Sequence, residues 1–179
     1  MIDDERIHLP TADTNHIPHG LAYVRALPIV RGRKTADLCC GTGYGTRLLS
    51  EAAIEVVGYD YSKDAIGYCL TRPLDNVNYV LADVEALGAI DAEVITCMQG
   101  LEHLKNPKEL IKQNLDKVWV FALPNDQTDS NIHHHHRITD ELIQDWFNGR
   151  AMVDYFDDEG NYYREKPDYF TNFFGVYRG

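Results

Sequence analysis

Residues 35–45 read TADLCCGTGYG, an apolar run followed at once by three glycines at alternate positions. The run 35–39 has the length and composition of a buried β-strand. Glycines directly after a strand allow a tight turn and let a ligand approach the backbone closely. A dinucleotide fingerprint needs G-x-G-x-x-G, and position 46 is threonine, so the glycines alone are a weak signal. The stretch predicts the first strand of an α/β domain and a ligand-binding loop beyond it.

Outward from this stretch, apolar runs alternate with helical patterns. Further strands are predicted in EVVGYD, VNYVLADV, EVITCMQ and KVWVFALPN. Helices are predicted over residues 20–30, 45–53, 62–70, 102–115 and 139–147, with Ser62 and Thr139 as N-caps and with an interruption at Asn106–Pro107 that starts a new helix. Two last strands, 152–156 and 169–177, flank an acidic turn. Alternating strands and helices give a parallel sheet, and a hairpin connection gives an antiparallel edge. We therefore predict a Rossmann-like, doubly wound α/β fold of seven strands, mostly parallel, with an antiparallel C-terminal edge hairpin and helices on both faces.

The composition is that of one ordinary globular domain. The chain has 179 residues, of which 44% are hydrophobic and 25% charged. Its 17 basic and 28 acidic residues give a net charge of −11, which argues against a nucleic-acid partner because such proteins usually present a basic face. No apolar run approaches the roughly 20 residues that span a bilayer, and the start MIDDERIH does not resemble a signal peptide. We expect a cytoplasmic protein with reduced cysteines and no membrane association.

Polar residues follow the predicted strands at the edge where a doubly wound sheet binds ligands. Asp60 ends the second strand about 20 residues past Gly41, where an acidic residue holds a ribose hydroxyl pair. Asp83 ends the third strand and is placed to accept a hydrogen bond from the exocyclic amine of an adenine. Either aspartate alone is commonly a loop or capping carboxylate. In register with the glycine loop, the two indicate a nucleoside site.

Four segments in order, TADLCCGTGYGT, EVVGYDYS, LADVEAL and EVITCMQGLEHL, resemble the successive motifs of class I S-adenosylmethionine-dependent methyltransferases. More narrowly, they resemble a type-11-like group with a D-x-x-C-G-T-G loop and a later E-H-L. The resemblance covers about residues 19–147. It implies S-adenosylmethionine as cofactor, released as S-adenosylhomocysteine. It also implies one domain over residues 1–179, with a lid segment at 1–30, a cofactor-binding core at 31–125 and a substrate-side loop, helix and hairpin at 126–179.

Carried over position by position, the resemblance implies cofactor contacts throughout the four segments. The implied cofactor-binding residues are Asp37, Cys39, Gly41, Thr42, Gly43, Tyr44, Asp60, Tyr61, Asp83, Val84, Gln99 and His19. Among them, Asp37 shapes the methionine-binding loop, Asp60 binds the ribose and Tyr61 packs on the adenine. Gln99 lines the sulfonium end, and His19 closes over the cofactor. The sequence departs from the family at position 39, where relatives commonly have glycine.

Transfer of a methyl group to oxygen or nitrogen needs an oriented nucleophile and a group that removes its proton. Candidates follow the fourth and fifth strands: Glu102 and His103, then the histidine run 133–136, in which His134 matches a histidine of the family. The pair Glu102–His103 can equally cap and pack a helix, and the run can be a solvated loop. The predicted catalytic residues are His103, His134 and Glu102, with one of the histidines as general base.

The resulting expectation is a methyltransferase that acts on an oxygen or nitrogen atom of a small molecule. A first alternative is metal-assisted ribose methylation, because the small-RNA 3′-terminal 2′-O-methyltransferases have E-x-x-E-H in this place and bind a divalent ion. Here Gln99 replaces the first glutamate, so no metal is expected. Glu102, His103 and one or both of His134 and His136 could still supply a mixed nitrogen and oxygen site. A second alternative is a module that binds the cofactor and transfers nothing.

Overall fold

The computed structural model describes residues 17–125 and 132–179, with side chains from His19 onward in the first range. The α-helices are α1 (Ile17–Val30), α2 (Tyr44–Leu49), α3 (Lys63–Leu70), α4 (Pro107–Lys112) and α5 (Asp140–Trp146). The strands are β1 (Lys34–Leu38), β2 (Glu55–Asp60), β3 (Val77–Leu81), β4 (Val94–Met98), β5 (Val118–Pro124), β6 (Met152–Phe156), β7 (Tyr162–Tyr163) and β8 (Asn172–Arg178). Short 3-10 helices lie at Val84–Ala86 and Leu101–His103.

The strands form one mixed sheet in the order β3-β2-β1-β4-β5-β8-β6-β7. Strands β1 to β5 pair in parallel, whereas β8 is antiparallel to both β5 and β6. The predicted α/β class and the antiparallel edge are therefore confirmed. The predicted strand number is wrong: the described residues form eight strands, because Tyr162–Tyr163 adds a two-residue strand against β6. The last long strand returns between β5 and β6 and does not form the outer edge.

Two predicted caps are present, and two predicted helices are shorter than expected. The Ser62 and Thr139 hydroxyls accept hydrogen bonds from amides in the first turns of α3 and α5. Helix α2 ends at Leu49, four residues before the predicted end at Ala53. The predicted interruption of the helical region 102–115 at Asn106–Pro107 is confirmed: α4 starts at Pro107, whose ring suits the first turn of a helix, and it ends at Lys112, before the predicted end at Leu115.

Separate cores cover the two faces of the sheet. Along β5 the side chains alternate, so that Trp119 and Phe121 pack on one face and Val120 and Ala122 on the other. Helices α4 and α5 cover the first face, and Phe147, directly after α5, stacks on Phe121 with ring centroids 4.6 Å apart. Helices α1 and α2 cover the second face. The predicted placement of helices on both faces is confirmed.

The strand order reverses direction between β1 and β4. The chain runs from β1 outward to β2 and β3, then returns to add β4 on the other side of β1. The loops that leave the carboxyl ends of β1 and β4 therefore diverge and leave a crevice, which is the usual ligand site of such sheets. Within residues 17–125 and 132–179, no helix combines the length and apolar character that a membrane span requires.

Candidate active site

A cavity of about 560 Å³ opens at this crevice. Eleven of the fifteen predicted site residues line it: His19, Cys39, Gly41, Thr42, Tyr44, Asp60, Tyr61, Asp83, Val84, Gln99 and His103. The other four, Asp37, Gly43, Glu102 and His134, are not among the residues that line it. The topology therefore brings residues from the ends of β1, β2 and β4 to one site, as the sequence predicted.

Asp60 joins the end of β2 to the glycine loop. One carboxylate oxygen accepts the Gly41 amide at 2.8 Å and the other accepts the Ser62 amide at 2.8 Å. The residue is 5% exposed and lines the cavity. Because each carboxylate oxygen has two lone pairs, both oxygens can still accept a hydroxyl. The two backbone bonds fix the orientation that a vicinal diol would need.

The loop between β1 and α2 has a left-handed backbone at alternate residues. Cys39, Gly41 and Gly43 have φ values of 57°, 55° and 76°. A β-carbon at Gly43 would lie 2.6 Å from the Tyr79 hydroxyl oxygen and 2.8 Å from the Cys69 sulfur, so glycine is required there. Cys39 has a β-carbon, yet it adopts the left-handed conformation that glycine takes most easily.

Asp37 lies on β1, beneath the loop, and is fully buried. Its carboxylate accepts hydrogen bonds from Thr46 Oγ1 at 2.6 Å, Thr96 Oγ1 at 2.7 Å and the Tyr23 hydroxyl at 3.4 Å. Burial raises the pKa of Asp37 from 3.8 to about 6, and the three hydrogen bonds oppose that rise. The side chain therefore ties β1, β4, α1 and α2 together behind the cavity wall, a supporting position consistent with shaping the loop.

Two tyrosines pack together at the start of α2. The Tyr23 and Tyr44 rings meet edge to face with centroids 5.4 Å apart, and both residues line the cavity. The Tyr23 ring occupies the place where a side chain at Gly45 would begin. Within the described residues, the Tyr44 hydroxyl is buried and has no hydrogen-bond partner. A buried hydroxyl normally has a partner, so this one is suited to a ligand in the cavity.

Gln99 follows β4 in a left-handed conformation, with φ of 54°. Its side-chain amide donates to Asn172 Oδ1 at 2.9 Å, which links the end of β4 to the start of β8. Its backbone amide donates to the Ala122 carbonyl at 2.9 Å. These contacts hold a strained residue at the cavity wall, and strained residues of this kind are concentrated at functional sites.

Glu102, His103 and His134 converge beside the cavity. One ligand-type atom from each lies within 4.8 Å of the others, and Glu102 is fully buried. The His103 and His134 rings meet edge to face at 4.9 Å. His103 Nδ1 lies 3.3 Å from the His133 carbonyl oxygen, and a carbonyl only accepts, so this contact places the proton on Nδ1 and the lone pair on Nε2.

The histidine run divides between three surroundings. His133 and His135 line the cavity, while His134 lies against His103. His136 Nε2 donates to the Leu104 carbonyl oxygen, 2.9 Å away, and its ring packs on Trp146. His136, one of the ligands considered for a metal, therefore lies outside the converging group.

The converging group fits a divalent cation in donor type. Two imidazole nitrogens and one carboxylate oxygen are a mixed set that suits manganese, iron or zinc. Gln99, the position where a second carboxylate would stand, instead hydrogen-bonds to Asn172. The described residues therefore offer three protein ligands, which leaves coordination positions for water or an acceptor.

Sequence reasoning missed several residues at the site. Tyr23, Met98 and Lys105 line the cavity and were not predicted, whereas His133 and His135 were candidates within the run 133–136 but were not selected. Met98 precedes Gln99 at the end of β4, so the rule that ligands bind beyond strand ends was a sufficient signal for it. The two histidines flank the one that the family resemblance selected, and only the path of the loop decides which of them face the cavity.

Comparison with known proteins finds similarity to methyltransferases. A family model described as a methyltransferase domain matches residues 36–118, from β1 to the start of β5. The ubiquinone biosynthesis O-methyltransferase of Methylococcus capsulatus is 32% identical over 101 residues, which are 52% of this chain and 42% of that protein. The chain spans about half the length of the curated relatives it matches.

Solved structures share the fold across nearly the whole chain. An S-adenosylmethionine-dependent methyltransferase from Mesorhizobium loti superposes with a TM-score of 0.70 at 15% identity, covering 93% of this chain and 100% of that one. The complex of DhpI with S-adenosylhomocysteine gives a TM-score of 0.66 at 18% identity, covering 91% and 85%. With the motifs and the matched domain, which covers a little under half of the chain, these likenesses support a class I S-adenosylmethionine-dependent methyltransferase. The same comparisons support S-adenosylmethionine as the cofactor.

Proposed function

We propose that the protein transfers a methyl group from S-adenosylmethionine to an oxygen atom of a small-molecule acceptor in the cytoplasm. The observation that carries the proposal is the joining of Asp60 to the Gly41 amide at the mouth of a cavity that His103 also lines. The name of the Methylococcus relative, an O-methyltransferase, supports oxygen as the acceptor atom over nitrogen. The net charge of −11 supports a small molecule over a nucleic acid.

The cofactor would supply a methyl group made electrophilic by a sulfonium centre. Asp60 would accept the ribose hydroxyls in the orientation that its two backbone bonds impose. Asp83, which accepts the Glu85 amide at 3.0 Å, and Val84 would contact the adenine edge at the cavity wall, with Tyr61 against the ring. Gln99 would line the sulfonium end.

His103 is the proposed general base. Its Nδ1 is directed at the His133 carbonyl, so Nε2 has the lone pair that could take the proton of an acceptor hydroxyl as the methyl group is transferred. His134 and Glu102 lie behind it and do not line the cavity. We assign them to orienting His103 and to favouring the imidazolium that forms.

The test is production of S-adenosylhomocysteine from S-adenosylmethionine across a panel of phenols, catechols and amines. His103→Gln should lower kcat by about 10²- to 10⁴-fold on an accepted substrate while binding of S-adenosylhomocysteine is unchanged. His136→Gln is the matched control, because His136 lies outside the cavity against Trp146. Unchanged kcat in His103→Gln would remove His103 from the mechanism. Cofactor binding without turnover on any acceptor would favour the non-catalytic module.

A second candidate function is metal-assisted methylation of a vicinal diol, including the 3′-terminal ribose of RNA. The convergence of Glu102, His103 and His134 supports it. Calorimetric titration of Mn²⁺ into chelator-treated, tag-free protein should then show about one bound ion, lost in His134→Ala and kept in His136→Ala. Absence of Mn²⁺ binding by the folded wild type would contradict this candidate. Turnover on an RNA with a terminal diol, but not on one with a 2′-deoxy end, would identify RNA as acceptor.

A further inference from the structure

The four cysteines surround the glycine loop, and the proposed transfer uses none of them chemically. All are free thiols. They lie in two pairs: Cys40 and Cys69 both contact the Gly41 carbonyl, and Cys39 and Cys97 both lie beside Gly100. The first pair joins the loop after β1 to α3, and the second joins it to β4.

The sulfurs of Cys40 and Cys69 contact the same backbone carbonyl oxygen. Cys40 Sγ is 3.8 Å and Cys69 Sγ is 3.5 Å from the Gly41 oxygen. Gly41 is the residue whose amide binds Asp60, so the thiol pair lies directly behind the proposed ribose contact. Cys40 lines the cavity, whereas Cys69 lies behind the wall and is buried.

The two pairs differ in chemistry. The hydrogen bond from Cys40 lowers the pKa of Cys69 and, together with burial, raises the pKa of Cys40. In the other pair, the hydrogen bond with Cys39 and complete burial raise the pKa of Cys97. A thiolate is the reactive form of cysteine, so Cys69 is suited to attack a sulfenic acid formed at Cys40, which is the cysteine of the pair that lines the cavity.

We propose that Cys40 and Cys69 form a reversible oxidation site, which a hydroperoxide reaches through the empty cofactor cavity and which a bound cofactor covers. The cavity is the route because Cys40 lines it and Cys69 contacts the same Gly41 carbonyl as Cys40. A peroxide is small enough to enter beside Gly41, where the ribose would otherwise lie. Formation of the disulfide requires only that peroxide enters the cavity. The protection of the two thiols by a bound ligand rests on the proposed function, because that ligand is the cofactor.

The reaction consumes one peroxide and two thiols. The Cys40 sulfur attacks a peroxide oxygen, the O–O bond breaks, and the Cys40 proton ends on the leaving oxygen, which departs as water when the oxidant is hydrogen peroxide. The resulting Cys40 sulfenic acid is then attacked by the Cys69 sulfur. The S–S bond forms, and the sulfenic oxygen leaves as a second water molecule with the Cys69 proton. A dithiol reductant restores both thiols.

The experiment treats reduced full-length protein with hydrogen peroxide, with and without S-adenosylhomocysteine. After removal of peroxide, the protein is denatured, remaining thiols are blocked with N-ethylmaleimide, and peptides are mapped without reduction. We expect a Cys40–Cys69 cross-linked peptide that dithiothreitol removes. Its formation should be about tenfold slower when S-adenosylhomocysteine is present at ten times its Kd.

Two variants distinguish the pairs. Cys69→Ser should form no cross-link and should leave a sulfenic acid at Cys40 that dimedone traps. Cys97→Ser, the matched control in the other pair, should cross-link at the wild-type rate. A melting curve by circular dichroism checks that each variant is folded. If a variant is not folded, the peptide map of the wild-type protein tests the proposal by itself.

Three results would overturn the proposal. One is recovery of Cys40 and Cys69 both blocked by N-ethylmaleimide after peroxide treatment. Another is a cross-link between Cys39 and Cys97 in place of the expected one. The third is cross-linking at the same rate in protein saturated with S-adenosylhomocysteine. Failure of S-adenosylhomocysteine to bind would instead contradict the proposed function. The sample without S-adenosylhomocysteine would still show whether the Cys40–Cys69 cross-link forms.

Discussion

The Gly41 amide donates a hydrogen bond of 2.8 Å to the Asp60 carboxylate, so the residue that ends β2 holds the loop that follows β1. A single side chain thus both fixes the glycine loop and presents oxygens to the cavity. Loss of this carboxylate should affect cofactor binding twice, through the ribose contact and through the position of the loop.

Asp37 should make stability depend on pH. Its pKa is about 6 in the folded protein against 3.8 ordinarily, so the folded state holds this proton more tightly than the unfolded state. The stability it contributes is fully present below the lower value and is lost as pH rises through the higher one. We expect the free energy of unfolding of Asp37→Asn, relative to wild type, to rise by on the order of 3 kcal/mol between about pH 4 and pH 7. Urea unfolding across this range measures it, and a difference that is constant with pH would contradict the account.

A side chain at position 45 should destabilise the protein. Because the Tyr23 ring occupies the position of a β-carbon, Gly45→Ala should lower the free energy of unfolding by about 1–3 kcal/mol. Gly67 on α3 is the matched control, since nothing lies within 4 Å of its β-carbon position. Gly67→Ala should raise stability by about 0.5–1 kcal/mol through helix propensity. Equal effects of the two substitutions in urea unfolding would show that Tyr23 does not pack as described.

Tyr44 and Tyr23 should respond differently to loss of the hydroxyl. The Tyr44 hydroxyl has no partner among the described residues, so Tyr44→Phe should leave the free energy of unfolding unchanged or slightly higher. If the hydroxyl meets the cofactor, binding of S-adenosylhomocysteine should weaken by about 0.5–1.5 kcal/mol. Tyr23→Phe removes a bond to Asp37 and should lower stability by about 1 kcal/mol. Identical stability and binding in both variants would argue against a ligand contact at Tyr44.

At position 39, glycine should give a more stable protein than alanine. A left-handed conformation costs a residue with a β-carbon about 1–2 kcal/mol, of which the greater chain entropy of glycine offsets about half. Cys39→Gly should therefore be more stable than Cys39→Ala by about 0.5–1 kcal/mol. Alanine is the proper reference because both substitutions remove the thiol that contacts Cys97. Greater stability of the alanine variant in thermal unfolding would contradict the strain at this position.

The sequence predicted what local pattern and spacing determine. Apolar runs and the glycine loop located the strands from β1 to β5, and the spacing between Gly41 and Asp60 predicted that Asp60 lies at the cavity beside the glycine loop. Ser62 and Thr139 were found as caps because a hydroxyl before a helix has a local role.

What depends on contacts between distant segments was not predictable. A strand β8 between β5 and β6 and a strand β8 at the outer edge of the sheet would both pair with β6 as a hairpin. The spacing in the sequence therefore could not distinguish these two arrangements. The bonds from Thr46 and Thr96 to Asp37 join three elements, and no motif marks them. Which histidines of the run face the cavity depends on the path of the loop, and the choice of His134 over His133 rested on resemblance alone.

Calorimetric titration of S-adenosylmethionine and S-adenosylhomocysteine into wild type, Asp60→Ala and Asp64→Ala tests the central claim most directly. Asp64, in the first turn of α3, is a matched carboxylate that does not line the cavity. The account predicts micromolar binding by wild type and Asp64→Ala, and binding weaker by about ten- to a hundredfold, or roughly 1.5–3 kcal/mol, in Asp60→Ala. Absence of binding by folded wild-type protein, or equal binding by both variants, would contradict it.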